Sequence, residues 1–361
     1  MNIYGWAPIS GACHWYRIRE PLRGLASIGH ATEFGEMFAE EIVLRHDTIL
    51  THILHGSQET QAWQYLAEAK QHRLIYDIDD NIWAYDPATP HGEYWTAERI
   101  ADVEANIRRS HLITTPSSML EKIIRFERGL NDNVVVLGNY VPDWVTRIPY
   151  KSPLAFTVGY QGAPQAIHQS DLDIIQEELF WFMTKCEDAR LLFFGQATEL
   201  EGGGPFGDRI DYVPWQPSVP DYYRSLHAMT VGIGPLRKSV FTEAKSGIRA
   251  VEFAALGIPG VYSDSAPYRP VVSHRQSGYL VMGSRRWRDY LIKLYQNPDQ
   301  VLRMSKRARQ LVTAWTTEAN AHHFEKAYQR SGPVGSASST SGMPTLDAPP
   351  PSGPEHQPSS D

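Results

Sequence analysis

Phe241-Thr-Glu-Ala-Lys245-Ser-Gly-Ile-Arg249-Ala-Val-Glu252-Phe-Ala-Ala-Leu-Gly257-Ile-Pro-Gly260 is the stretch whose reading decides the fold. Ser246 is a good N-cap residue, and Ile248, Val251 and Ala255 recur at helical spacing. Gly257 supplies a stop and Pro259 follows it, so the pattern predicts a helix of about ten residues. Its first turn leaves backbone N–H groups unpaired at the positive end of the helix dipole. Lys245 lies beside that end, which makes an anion the natural occupant. Glu252 lies roughly two turns in, displaced by about 1.5 Å per residue, where a ribose hydroxyl fits better than a phosphate. The same residues also suit a surface helix that packs on a sheet and leaves Glu252 in solvent.

Outward from this stretch, strands and helices alternate. Met229–Gly234 reads as an apolar strand that leads into it through Pro235 and Leu236, and Gly260–Ser263 and Gly278–Val281 read as further strands. Upstream, Ala155–Gly159 and Arg190–Phe194 read as strands. Between them Ser170 caps a predicted helix with Leu172, Ile175, Leu179 and Phe182 on its apolar stripe. Tyr212–Trp215 reads as a short strand and turn, and Val219–Leu226 as a helix. Such alternation predicts a parallel sheet with helices on its faces. Ser284–Gln296 and Pro298–Trp315 are predicted helices whose arginines and lysines, among them Arg303 and Arg309, suggest a solvated charged face. Glu318–Arg330 reads as the last helix. From Ser331 to Asp361 the chain has too little apolar surface to offset the entropy of ordering it, which predicts a disordered tail.

The first part repeats the alternation. Met1–Trp6 reads as a strand, and a loop carrying Gly11 and His14 follows it. Pro21 then opens a helix with Leu22, Leu25 and Ile28, stopped at Gly29. That loop lies at the carboxyl end of a strand, where open α/β sheets place their ligands. Thr48–Leu54 and Leu74–Ile78 read as strands flanking a Gln58–Gln71 helix, and the second runs into Asp77-Ile-Asp79-Asp80. Such carboxylates hold a divalent cation, move protons, bind sugar hydroxyls or form a solvated turn. His46, His52 and His55 have no ligand-like spacing. Thr96 caps a helix bearing Ile100, Val103 and Ile107. Beyond it come a His111–Thr114 strand, a Pro116–Phe126 helix and an Asn133–Leu137 strand. Residues 141–153 lack periodicity and read as an interdomain linker.

At 361 residues the chain is long enough for two domains with substantial cores. The balance of 42% hydrophobic and 21% charged residues is that of a soluble protein. No apolar run is long enough to span a bilayer, so a cytoplasmic location is expected. Cys13 and Cys186 suggest neither a disulfide framework nor a zinc site. A net charge of −7 argues against wholesale nucleic-acid binding.

Several of these motifs, taken in order, resemble those of GT-B glycosyltransferases, close to the large retaining, family 4-like group that uses nucleotide-sugar donors. In the first part they are Tyr16-Arg17-Ile18…Pro21-Leu22…Leu25…Gly29-His30, Tyr76-Asp-Ile-Asp79-Asp80-Asn-Ile-Trp83 and Asn133-Val-Val-Val136…Asn139-Tyr-Val-Pro142. In the second they are Gly159-Tyr-Gln-Gly162…His168…Asp171, Pro214-Trp215…Tyr222 and Gly234-Pro-Leu236…Phe241…Lys245-Ser246…Glu252 through Pro259.

The resemblance covers residues 1 to about 330 and implies two Rossmann-like domains facing a central cleft. Residues 1–140 form the acceptor side, 154–315 the donor domain and 316–330 a helix crossing back, with 331–361 as the tail. Tyr160, Gln161, Gly162 and His168 are then the first donor loop, and Val213, Pro214 and Trp215 border the nucleobase. Glu252 binds ribose, and Lys245, Ser246 and Arg249 hold the diphosphate. Gly11, His14 and Arg17 belong to the first-domain cleft loop, and Asp79 or Asp80 orients the acceptor or assists its deprotonation.

Beyond the nucleoside-diphosphate sugar no cofactor is expected, and no divalent metal is essential. Short chains of this kind occur in bacterial envelope-polysaccharide pathways and in phages, so the acceptor is a glycan or lipid-linked glycan, a virion protein or modified DNA. One position departs from the pattern. Relatives often carry two glutamates separated by seven residues, and here the first is Ala244, with Thr242 and Glu243 as the local substitutes. Three rivals stand beside this reading: a metal-dependent GT-A enzyme built on Asp77-Ile-Asp79, a sugar-nucleotide epimerase, and a non-catalytic binding protein.

Overall fold

A computed structural model describes residues 1–8, 11–150, 153–162, 171–195, 204–216 and 218–330. The expectations for His168, Ser170 and the 331–361 tail lie outside the described residues. The strands are β1 (Asn2–Trp6), β2 (Ala31–Gly35), β3 (Thr48–His52), β4 (Arg73–Asp77), β5 (Leu112–Thr115) and β6 (Val134–Val136), then β7 (Thr157–Gln161), β8 (Arg190–Phe194), β9 (Ile210–Val213), β10 (Val231–Gly234), β11 (Gly260–Ser263) and β12 (Gly278–Val281). They form two six-stranded sheets, ordered β2-β1-β3-β4-β5-β6 and β12-β11-β10-β7-β8-β9. All ten pairings are parallel.

Burial on both faces explains the apolar runs that predicted the inner strands. Successive residues point into opposite cores: Tyr4 and Trp6 into one, Ile3 into the other. The second sheet repeats this, with Leu191 and Phe193 on one side and Leu192 and Phe194 on the other. β2, which the sequence reading missed, is an edge strand of half-exposed Ala-Thr-Glu-Phe-Gly with no continuous apolar run. Two glycines let helices lie close to the sheets. A Cβ on Gly5 would stand 2.5 Å from Ile18, and one on Gly232 would stand 2.2 Å from Phe253.

In each sheet the strand order reverses at one point, between β1 and β3 and between β7 and β10. Ligand crevices of open α/β sheets lie outside the carboxyl ends of the strands at such points. The second half reaches its crevice through the Ile248–Leu256 helix, which follows β10 and is buried at every position from Arg249 on. The surface-helix reading of that stretch is therefore corrected. So is the uniform solvated face of the basic helices. Arg309 donates to the carbonyls of Thr146 (2.8 Å), Ile148 (2.7 Å) and Leu256 (2.8 Å), tying off the end of the same helix.

The chain passes between the halves twice, and the crossings are bonded to each other. Val141 N–H donates to Trp315 O (3.1 Å), and Thr317 N–H donates to Val141 O (2.8 Å). A short helix, Asp143–Thr146, occupies part of the expected linker. After the second crossing the Ala321–Gln329 helix packs Phe324, Ala327 and Tyr328 among Ile18, Leu22 and Leu25 of the first half. Arg23 joins Glu20 and Glu318 beside it.

Candidate functional site

The helix that opened the sequence reading starts one residue later than expected. Gly247, not Ser246, is the N-cap, and the backbone of Pro267 leaves no room there for a side chain. A Cβ on Gly247 would stand 2.3 Å from the Pro267 carbonyl oxygen. Ser246 instead accepts a hydrogen bond from Asn139 Nδ2 (3.0 Å) of the first half. Upstream, Ser239 and Thr242 form a capping box on the short Val240–Glu243 helix. Lys245 projects between the two helices, with Nζ 4.4 Å from the centre of the Phe241 ring and 3.7 Å from Asp80 Oδ1 across the cleft.

The candidates for the missing glutamate are engaged elsewhere. Glu243 Oε2 accepts from Ala266 N–H (3.1 Å), and the Thr242 hydroxyl donates to Arg237 O. Ala244 itself is buried, and its carbonyl accepts from Ser117 Oγ of the first half (2.6 Å).

Glu252 is 2% exposed. Tyr222 donates to Oε2 (3.0 Å), and Tyr16 of the first half donates to Oε1 while its oxygen lies 3.0 Å from that of Tyr223. Burial pushes the Glu252 carboxyl up to about 7, against the phenol hydrogen bonds that favour its charged form. One turn earlier, the Arg249 guanidinium lies 5.0 Å from the Tyr160 ring centre and donates to the Tyr268 hydroxyl (3.2 Å).

The three aspartates at the end of β4 go to different partners. Asp77 closes on Arg17 with two hydrogen bonds of 2.9 and 2.7 Å, both side chains 2% exposed. Arg17 also donates to Leu137 O and Asn139 Oδ1, each at 2.7 Å. Asp79 accepts from His52 Nε2 (2.7 Å). Burial opposes both charges of that pair. The mutual attraction outweighs it, holding the carboxyl below and the imidazole above their ordinary values. Asp80 accepts from Tyr85 (3.0 Å) and faces Lys245. His52 Nε2 also stands 3.9 Å from Asp77 Oδ1, so Asp77 and Asp79 flank one imidazole. Among the described residues no group of three His, Cys, Asp or Glu side chains is placed to hold a metal ion.

A cavity of about 610 Å³ lies between the halves. Of the predicted residues, Gly11, His14, Gln161, Gly162, Pro214, Trp215 and Glu252 line it. Arg17 does not: its side chain sits in the buried pair with Asp77. Lys245, Ser246, Arg249, Asp79, Asp80, Tyr160 and Val213 are not part of the lining either. Lys245 and Asp80 stand paired in the cleft. Burial, with His52 at a 5.0 Å ring separation, pulls the His14 imidazole down to about 4. The site reading also missed Trp15, Tyr16, Arg19, Phe34 and Tyr222. Tyr16 and Tyr222 stood within the motifs that carry the resemblance, and the aromatic residues around them were the remaining signal.

No protein-family profile and no curated protein sequence matches the chain. Solved structures do. The chain is similar to HepE from Anabaena in complex with UDP, at 12% identity and a TM-score of 0.62, over 91% of this chain and 100% of that one. It is also similar to a glycosyltransferase from Rickettsia africae, at 11% identity and a TM-score of 0.63, over 91% and 97%. Against TarM the match covers 78% of this chain and 54% of that one, at 12% identity and a TM-score of 0.58, so the chain spans about half of that protein. The fold is that of the GT-B glycosyltransferases, which excludes the GT-A alternative. Among the described residues no helix is long and apolar enough to cross a membrane.

Proposed function

We propose that the protein transfers a glycosyl unit from a nucleoside-diphosphate sugar to an acceptor, with retention at the anomeric carbon and without a protein nucleophile. The observation that carries this reading is the cavity between the two reversal points, where buried Glu252 and the exposed Trp215 indole share one lining beside the Lys245 helix start. Glu252 suits the ribose hydroxyls, and the Pro214-Trp215 turn suits the base. The helix start and Lys245 suit the diphosphate. The HepE structures hold UDP and UDP-glucose, which makes uridine diphosphate sugars the first donors to test.

Departure of the diphosphate leaves negative charge, and Lys245 neutralises it as the bond breaks. In the ligand-free protein Asp80 holds that ammonium group in place. The donor phosphates take over the pairing and free Asp80 to orient the acceptor hydroxyl, whose proton passes to the departing diphosphate oxygen as the new glycosidic bond forms. Asp79 is a poor proton acceptor, because His52 holds it ionised. No metal is needed for this step, since fixed cationic groups supply the charge. The acceptor is of the glycan, virion-protein or modified-DNA type.

The test is a panel of nucleotide sugars with co-expressed cell material, read by nucleoside-diphosphate release and mass spectrometry of products. Release that needs an acceptor and persists in excess chelator is expected. Ala244 favours one rival, a protein that binds the donor without turning it over. A thermal shift with nucleotide and no consumption of any donor would establish that rival instead. Isomerised donor in the absence of acceptor would establish the epimerase.

A further inference from the structure

The first half forms one wall of the cavity, and this wall is built rather than incidental. Trp15–Arg19 is a π-helical turn, a local widening of the helix of a kind frequent at functional sites. Arg17 and Ile18 anchor it from the inside, the former through Asp77 and Asn139 and the latter in the apolar core. With the turn fixed from within, Trp15, Tyr16 and Arg19 face the cavity. The Arg19 guanidinium lies 4.4 Å from the centre of the Phe34 ring at the end of β2, and Phe34 lines the same cavity. Among the described residues no carboxylate pairs with Arg19, and no carbonyl accepts from it. A cation is therefore held in place, on an aromatic face, with its donors unused.

The rest of the lining identifies what those donors meet. Glu252 and the Pro214-Trp215 turn belong to the nucleoside end of the proposed donor, whereas Lys245 and Asp80, at the diphosphate and acceptor end, are not part of this lining. We infer that Arg19 reads the nucleobase from the first half, donating to the carbonyl oxygens of a keto base such as uracil, thymine or guanine, so that the nucleoside is gripped by both halves. A guanidinium offers donors and no acceptor. It matches O4 of uracil or thymine and O6 of guanine, the positions at which cytosine and adenine carry an exocyclic amino group, itself a donor. The inference rests on the nucleotide-sugar reading above.

Calorimetric titration of the full chain with UDP, dTDP, GDP, CDP and ADP tests it. The wild type should bind the three keto-base diphosphates at least about fivefold more tightly than the other two. Arg19→Ala should weaken UDP binding about tenfold and level the ranking, and Arg19→Lys should restore part of it. Phe34→Leu, which loosens the Arg19 support, should cost about threefold. Arg19 is exposed, so an unchanged melting curve for its variants is the check on folding. An Arg19→Ala protein with wild-type affinities and ranking would overturn the inference alone. An equal loss across all five diphosphates would place Arg19 on the phosphates and overturn it as well. Wild-type protein that binds none of the five overturns the donor reading itself, and the inference with it.

Discussion

Beneath the crevice of the first sheet the buried charges meet one another: Arg17 closes on Asp77 and His52 on Asp79. Beneath the crevice of the second, Glu252 meets the phenols of Tyr16 and Tyr222, and Arg249 meets the ring of Tyr160 and the hydroxyl of Tyr268. The two halves share an architecture and differ in how they neutralise ionic groups. A charge answered by an opposite charge is satisfied without a ligand and serves as scaffold. A carboxyl answered only by neutral donors stays close to its own titration point, with lone pairs to offer an incoming hydroxyl. On this ground the first half supplies the frame and the second supplies the receptive polar groups. The first half adds donors only where the Trp15–Arg19 turn brings them to the cavity.

Breaking the frame should have the largest effect. Arg17→Ala leaves Asp77 buried without its partner and should cost about 3–5 kcal/mol of stability, seen as a fall in the denaturation midpoint. Were Arg17 a ligand contact instead, stability would hold and only binding would suffer. Next is Lys245→Ala, which should lower turnover by about 10²–10³-fold with the melting temperature unchanged. Wild-type kinetics in that variant would remove the leaving-group role.

The third prediction concerns Glu252, whose carboxyl titrates at about 7 in the folded chain against an ordinary 4.5. A raised carboxyl stabilises the fold fully below the ordinary value, and the contribution is lost as pH rises through the folded one. Between pH 4.5 and about 7 the ligand-free wild type should therefore lose on the order of 3 kcal/mol relative to Glu252→Gln. Urea denaturation of both proteins at several pH values checks this, and parallel curves would refute it. Smallest is Tyr16→Phe, which removes the phenol that joins Glu252 across the cleft. It should cost about 1–2 kcal/mol of stability by calorimetry. No change there would show that the halves meet at Glu252 without benefit.

Much of the second half was legible because its signals are local. Lys245, Glu252 and Gly257 lie in one stretch, and helical spacing, a stop glycine and the flanking strands identify it without knowledge of distant contacts. The exact helix start was not legible, because the Ser246 hydroxyl is taken by Asn139, more than a hundred residues away in sequence. The first half was harder to read. Asp77, Asp79 and Asp80 look like one cluster in sequence, and only the packing of Arg17, His52 and Lys245 around them decides their nearest partners. Arg17 looked like a cleft residue because it follows a strand-end loop, but the π-helical turn rotates it inward and brings Arg19 out. Edge strand β2 escaped notice because its residues are exposed or half-buried, so its sequence carries no apolar run.

The paired crossings at Val141 and Thr317 have a mechanical consequence. Two separate tethers would let the halves slide, tilt and part in several directions, whereas two strands bonded side by side behave as a single axle. Relative motion is then reduced to rotation about one line. Asn139 lies two residues from that line in the chain, so its contact with Ser246 should change little as the halves turn.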